Sequence, residues 1–103
     1  MTDISVTELS ALPDAVVVDV REPHEFEAAH AHGALLIPLG ELSERLAEVP
    51  SEATVYVICA AGGRSQQGTA FLVHSGIDAV NVTGGMNAWQ QAGLPTILDG
   101  VSS

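Results

Sequence analysis

The chain has 103 residues, with Arg21, Arg45 and Arg64 as its only Lys/Arg residues against 13 acids, for a formal net charge of -10. That balance excludes nucleic acid, whose backbone needs clustered cations, and an acidic membrane surface, which would repel the chain. Apolar residues make up 47%, enough for one globular core and too many for a disordered acidic tail.

In chain order, Ile4-Ser5-Val6 reads as a short strand and residues 7–12 as a capped helical turn. Val16-Val17-Val18 is apolar throughout, the mark of a strand covered on both faces. Pro23 suits the first turn of a helix reaching about Ala29. Ala34-Leu35-Leu36-Ile37 is a third strand, stopped by Pro38. Leu42, Leu46 and Val49 recur at helical spacing and predict a helix over 41–49. Thr54-Val55-Tyr56-Val57-Ile58 is the strongest strand and runs directly into Cys59-Ala60-Ala61-Gly62-Gly63-Arg64-Ser65. Ser65 is a natural N-cap for a helix that stops at Gly76. Ala79-Val80-Asn81-Val82 is a fifth strand, and residues 85–92 form a last helix before Gly93 and Pro95. Met86 and Trp89, three apart on that helix, read as core packing.

Five strands interleaved with helices argue for one α/β domain over 1–103, with a mainly parallel five-stranded sheet. No repeat or linker divides it. The longest apolar run, residues 55–61, falls far short of the ~20 residues of a membrane span. The first residues carry no cation and no apolar stretch, so no secretory signal is visible. A single cysteine fits a reducing compartment, and the cytoplasm is the expected location.

Ligand sites in such sheets lie beyond the carboxyl ends of the strands, where Cys59 falls. A thiol reacts as thiolate, and the loop that follows is equipped to favour one. Gly62 and Gly63 let backbone N–H groups converge, the next helix presents its positive end, and Arg64 adds a full charge. No neighbouring residue offers a general base, so activation is expected to be electrostatic. The competing reading is a small buried hydrophobe at a strand end, followed by an ordinary connection.

Asp19 ends a buried strand, where a carboxylate must accept hydrogen bonds or pair with an arginine. It and Arg21 are candidates for support behind the site, with a salt bridge from Arg21 to Glu22 or Glu25 expected. His24, His30 and His32 have short spacing but no second ligand cluster, so no metal is expected. Neither a P-loop, which needs a Lys, nor a dinucleotide fingerprint is present. No cofactor is expected.

The Cys59–Ser65 segment resembles the active-site loop of the rhodanese family of sulfurtransferases, Cys-X-X-Gly-X-Arg-Ser. Val18-Asp19-Val20-Arg21-Glu22 is similar to that family's Asp-Val-Arg-Glu segment, and Ala29-His30-Ala31-His32-Gly33-Ala34 to its Gly-His-Ile-Pro-Gly-Ala stretch. Gly84-Gly85-Met86-Asn87-Ala88-Trp89 with Gly93-Leu94-Pro95 looks like its C-terminal signature, so the resemblance covers about 16–95. Ala29 and His32 replace a frequent Gly and Pro, which predicts a different path there.

The resemblance implies a rhodanese-like fold, with helices on both faces of the sheet. It also implies sulfur transfer through a Cys59 persulfide, from thiosulfate or a persulfide donor to cyanide or a thiol. Ala60, Ala61, Gly62, Gly63, Arg64 and Ser65 would stabilise the persulfide and orient the donor. Four residues separate Cys59 from Arg64, whereas cysteine phosphatases carry five, and the preceding residue is Ile58 instead of their usual His. Bare Ala60 and Ala61 and the strong negative charge predict a high KM for thiosulfate, or a persulfide or protein donor. The alternative is a sulfur-relay or interaction module with negligible thiosulfate turnover.

Overall fold

The computed structural model describes residues 2–98; residue 1 and residues 99–103, the ends of the predicted domain, lie outside the described residues. A central sheet is built from β1 (Thr2–Ile4), β2 (Val16–Asp19), β4 (Leu35–Leu36), β5 (Val55–Ile58) and β6 (Ala79–Val82). Its order is β1-β6-β5-β2-β4, with every neighbouring pair parallel. β5 is therefore the middle strand. Its register pairs Val57 with Val18 and Asn81, and Ile58 with Asp19.

Alternation along the strands divides the core into two layers. Val18, Val20, Val55 and Val57 turn to one face, where they pack with Leu72 of α3 (Gly63–His74), Ile37, Leu42 and Val49. Val17, Ile58 and Val82 turn to the other, against α1 (Val6–Ser10) and α4 (Gly85–Gln91) through Val6, Leu9, Met86 and Trp89. The apolar runs in β2 and β5 follow from this, because both faces are covered. Met86 and Trp89 are core residues, as their spacing predicts, and the Trp89 indole N–H donates to the Pro95 carbonyl. The five-stranded parallel sheet with helices on both faces is thus the predicted architecture.

Four local expectations are corrected. The first strand ends at Ile4, because Ser5 caps α1: its hydroxyl accepts from the Glu8 N–H and the Glu8 carboxylate accepts from the Ser5 N–H. Val6 is consequently a buried helical residue. The predicted helix over 41–49 is replaced by two 3₁₀ turns, Leu39–Glu41 and Leu46–Glu48, although Leu42 and Val49 are buried. Apolar spacing there records which residues face the core, and the backbone meets it with shorter turns. A two-stranded antiparallel ribbon joins β3 (His30–Ala31) to β7 (Thr96–Ile97), outside the five strands expected. Finally, Ser65 does not cap α3. The cap lies three residues earlier, at Gly62 with φ +112°, and Ser65 lies inside the helix's first turn.

Candidate active site

Cys59 follows β5 immediately and is 1% exposed. Turning from the strand into α3 within four residues requires the left-handed backbone of Gly62, a conformation that costs a side-chain-bearing residue about 1–2 kcal/mol. The turn folds the Gly62 N–H back to 3.0 Å from the Cys59 sulfur. Ser65, fully buried on the inner side of α3, has its Oγ 3.3 Å from the same sulfur. Burial pushes the Cys59 thiol's pKa up, but the Ser65 hydroxyl and the N–H groups of Ser65, Gly62 and Arg64 outweigh it. The net result lies below the ordinary thiol value. Donors converging on one sulfur stabilise its anion and leave a neutral thiol little to gain.

Asn81 of β6 was not singled out in the sequence, and it completes this arrangement. It is 1% exposed and its Oδ1 accepts from the Ser65 hydroxyl at 2.6 Å. The same hydroxyl lies 3.1 Å from the Gly62 carbonyl. Its single hydrogen can serve only one of these oxygens or the sulfur at a time, so Asn81 competes with a Cys59 thiolate for it. A polar residue at the buried centre of an otherwise apolar strand was the available signal.

The loop is fixed from above by α4. Met86 N–H donates to the Cys59 carbonyl at 2.7 Å and Asn87 N–H to the Ala60 carbonyl at 2.9 Å. This approach requires Gly85: a Cβ there would overlap the Cys59 and Ala60 carbonyl oxygens. The Gly84-Gly85 pair thus holds the Cys59 loop, 25 residues away in sequence.

Arg64 carries a partner from a different element. Its guanidinium forms a two-pronged pair with Glu25 of α2 (Pro23–Ala28), Nη1 to Oε1 at 2.7 Å and Nη2 to Oε2 at 2.9 Å. Arg64 holds the Glu25 carboxyl down at a pKa of about 2. Ala60 is half-buried and Ala61 and Gly63 are exposed, while Gly62, Arg64 and Ser65 are the loop residues that act on the Cys59 sulfur.

Asp19 and Arg21 form a buried pair, which corrects the expected bridge from Arg21 to Glu22 or Glu25. Asp19 Oδ1 accepts from the Arg21 backbone N–H and Nε, both at 3.0 Å, and Oδ2 accepts from Nη2 at 2.8 Å. Asp19 is fully buried and has to be paired, whereas Glu22 is exposed and Glu25 is taken by Arg64. Arg21 Nη2 also donates to the Ala29 carbonyl at 2.7 Å, which ties β2 to the end of α2. Through that bond the pair holds the helix that carries Glu25.

The histidines lie apart in environment. His24 and His32 are exposed, while His30 is buried, stacked on Phe26 at 3.7 Å and bonded to the Phe26 carbonyl. Among the described residues no three His, Cys, Asp or Glu side chains group to hold a metal ion. Nor is any described helix long and apolar enough to cross a membrane.

Residues 5–92 match the family model of the rhodanese-like domain. A sulfurtransferase of Allochromatium vinosum is 34% identical over 90 residues, covering 86% of this chain and 84% of the relative. A Bacillus subtilis protein named as a candidate sulfur carrier is 39% identical over 74 residues; the match takes in 71% of this chain and 40% of that longer protein. Among solved structures, a rhodanese-related protein from Thermoplasma volcanium superposes with a TM-score of 0.92 at 32% identity, covering 96% of this chain and 100% of that one. A rhodanese-like domain protein from Staphylococcus aureus gives 0.81 at 36% identity, over 86% and 91% of the two chains.

Proposed function

Because this chain belongs to the rhodanese-like domain family, we propose that it is a cytoplasmic sulfurtransferase whose sulfur carrier is Cys59. Sulfur transfer in general is supported by the family and by the named relatives. The donor is thiosulfate or a persulfide, and the acceptor is a thiol or cyanide. In the first step the Cys59 thiolate attacks the donor's outer sulfur. The donor S–S bond breaks, sulfite or a thiolate leaves with the electron pair, and Cys59 becomes a persulfide. The acceptor then attacks the outer sulfur of that persulfide and restores the thiolate. No external oxidant or reductant enters the cycle.

The observation that carries the reading is the surroundings of the Cys59 sulfur, to which the Gly62 N–H donates at 3.0 Å and beside which the Ser65 Oγ lies at 3.3 Å. A persulfide carries its charge one atom further out, toward the amides of residues 60–65. Ala60 and Ala61 offer only methyl groups there, which favours a second reading: a relay that receives sulfur from a protein partner.

Intact-protein mass after incubation with thiosulfate tests the first reading. The expected result is a gain of one sulfur atom, released by cyanide as thiocyanate and absent in Cys59→Ser. A gain with a persulfide donor alone favours the relay. No gain with either donor removes both.

A further inference from the structure

The chain carries no Lys, and every one of its three arginines is engaged by a carboxylate. Arg21 is paired with Asp19 at 2.8 Å, and Arg45 with Glu41 at 3.1 Å and Glu48 at 2.8 Å. Arg64, the one cation of the Cys59 loop, is paired with Glu25 at 2.7 Å. Both prongs of its fork are used, on separate oxygens of one carboxylate. Such two-pronged pairs occupy the same donors that a sulfur oxyanion would need.

Glu25 is itself held in place. Its Oε1 also accepts the Glu22 N–H at 2.9 Å, as part of the capping box that starts α2. Arg21 anchors the other end of that helix at the Ala29 carbonyl. The carboxylate therefore meets Arg64 as a fixed partner. With side chains 35% and 25% exposed, the pair lies at the rim, where an incoming donor meets it.

A thiosulfate dianion reaching this rim encounters a neutral pair within a protein of net charge -10. To use the Arg64 fork it must displace Glu25. The sulfane group of a thiol persulfide bears at most one negative charge, and its recognition falls to the organic group, beside which Ala60 and Ala61 offer methyls instead of charges.

Resting on the sulfur-transfer reading, we propose that Glu25 is a specificity-determining residue, which occupies the Arg64 fork and thereby sets the site for persulfides of thiols against small sulfur oxyanions. It acts through Arg64 and does not touch the reacting sulfur. Each transfer stays balanced as above: the S–S bond of R–S–SH breaks, R–S⁻ leaves with the electron pair, and Cys59 gains the S–H group.

The test is the rate of one-sulfur gain at Cys59 against donor concentration, for thiosulfate and for cysteine persulfide. Glu25→Gln keeps the side chain's shape and frees the fork. One recovered hydrogen-bonded charge interaction lowers the half-saturating thiosulfate concentration by about 10- to 100-fold. The value for cysteine persulfide stays unchanged. No side chain of α2 is buried, so these variants leave the core intact. Glu25→Ala, which removes the carboxylate without placing an amide beside the fork, repeats the measurement and is expected to show the same donor-selective gain. An unchanged thiosulfate value in both variants overturns the proposal, as does an equal shift for both donors. No sulfur gain from either donor in the wild type would instead overturn the sulfur-transfer reading, and this proposal with it.

Discussion

Replacing Gly85 by alanine probes the contact that holds the Cys59 loop. Two costs add at this position. The backbone has φ +54°, where a Cβ is unfavourable by about 1–2 kcal/mol. The Cβ also overlaps the carbonyl oxygens of Cys59 and Ala60, and backbone atoms cannot rotate aside; forcing such a contact costs about 1–3 kcal/mol. Gly93 isolates the first term, because it has φ +71° but a methyl group on its Cα would meet nothing within 4 Å. The entropy that alanine removes from the unfolded chain is common to both and cancels. Gly85→Ala should therefore be less stable than Gly93→Ala by about 1–3 kcal/mol. In a domain of this size that is a Tm lower by roughly 4–8 °C for each kcal/mol. Trp89, the chain's one tryptophan and 7% exposed, supplies a fluorescence signal for thermal and urea unfolding. Equal stabilities for the two variants would refute the claim that α4 seats on the loop through Gly85.

Ser65→Ala removes a donor that opposes the effect of burial at Cys59, so the thiol pKa rises and the rate of Cys59 alkylation climbs with pH at a more alkaline point; an unmoved profile would exclude Ser65 as a thiolate donor. The sign follows from protonation: fewer donors favour the neutral thiol, so a higher pH is needed to reach the same thiolate fraction. Arg21→Met leaves the Asp19 carboxylate fully buried without its guanidinium and should cost about 3–5 kcal/mol in urea unfolding. A loss well below about 1 kcal/mol would mean that water reaches Asp19 on relaxation.

Much of the architecture was legible locally. Val16 to Val18 and Val55 to Ile58 are apolar without alternation, and only strands covered on both faces make that pattern common. Their order among helical stretches fixes a parallel sheet, and Cys59, directly after the strongest strand, falls at a carboxyl end of it. Pro23 and the glycines near 62, 76 and 93 punctuate the helices well. The local reading failed where an apolar pattern is compatible with more than one backbone. Residues 41–49 present Leu42 and Val49 to the core through 3₁₀ turns, and Ser5 stops the first strand by capping α1.

The sequence by itself determined the place of Cys59, its loop and the sheet that carries them, because strand periodicity, glycine turns and a helix start are properties of neighbouring residues. Only the tertiary structure decided what each charged group in the site faces. Glu25 meets Arg64 across 39 residues, Asn81 meets Ser65 across 16, and Arg21 takes Asp19 instead of Glu22 or Glu25. A charge has no preferred partner until packing sets distance and burial, and those two quantities determine which pairing prevails.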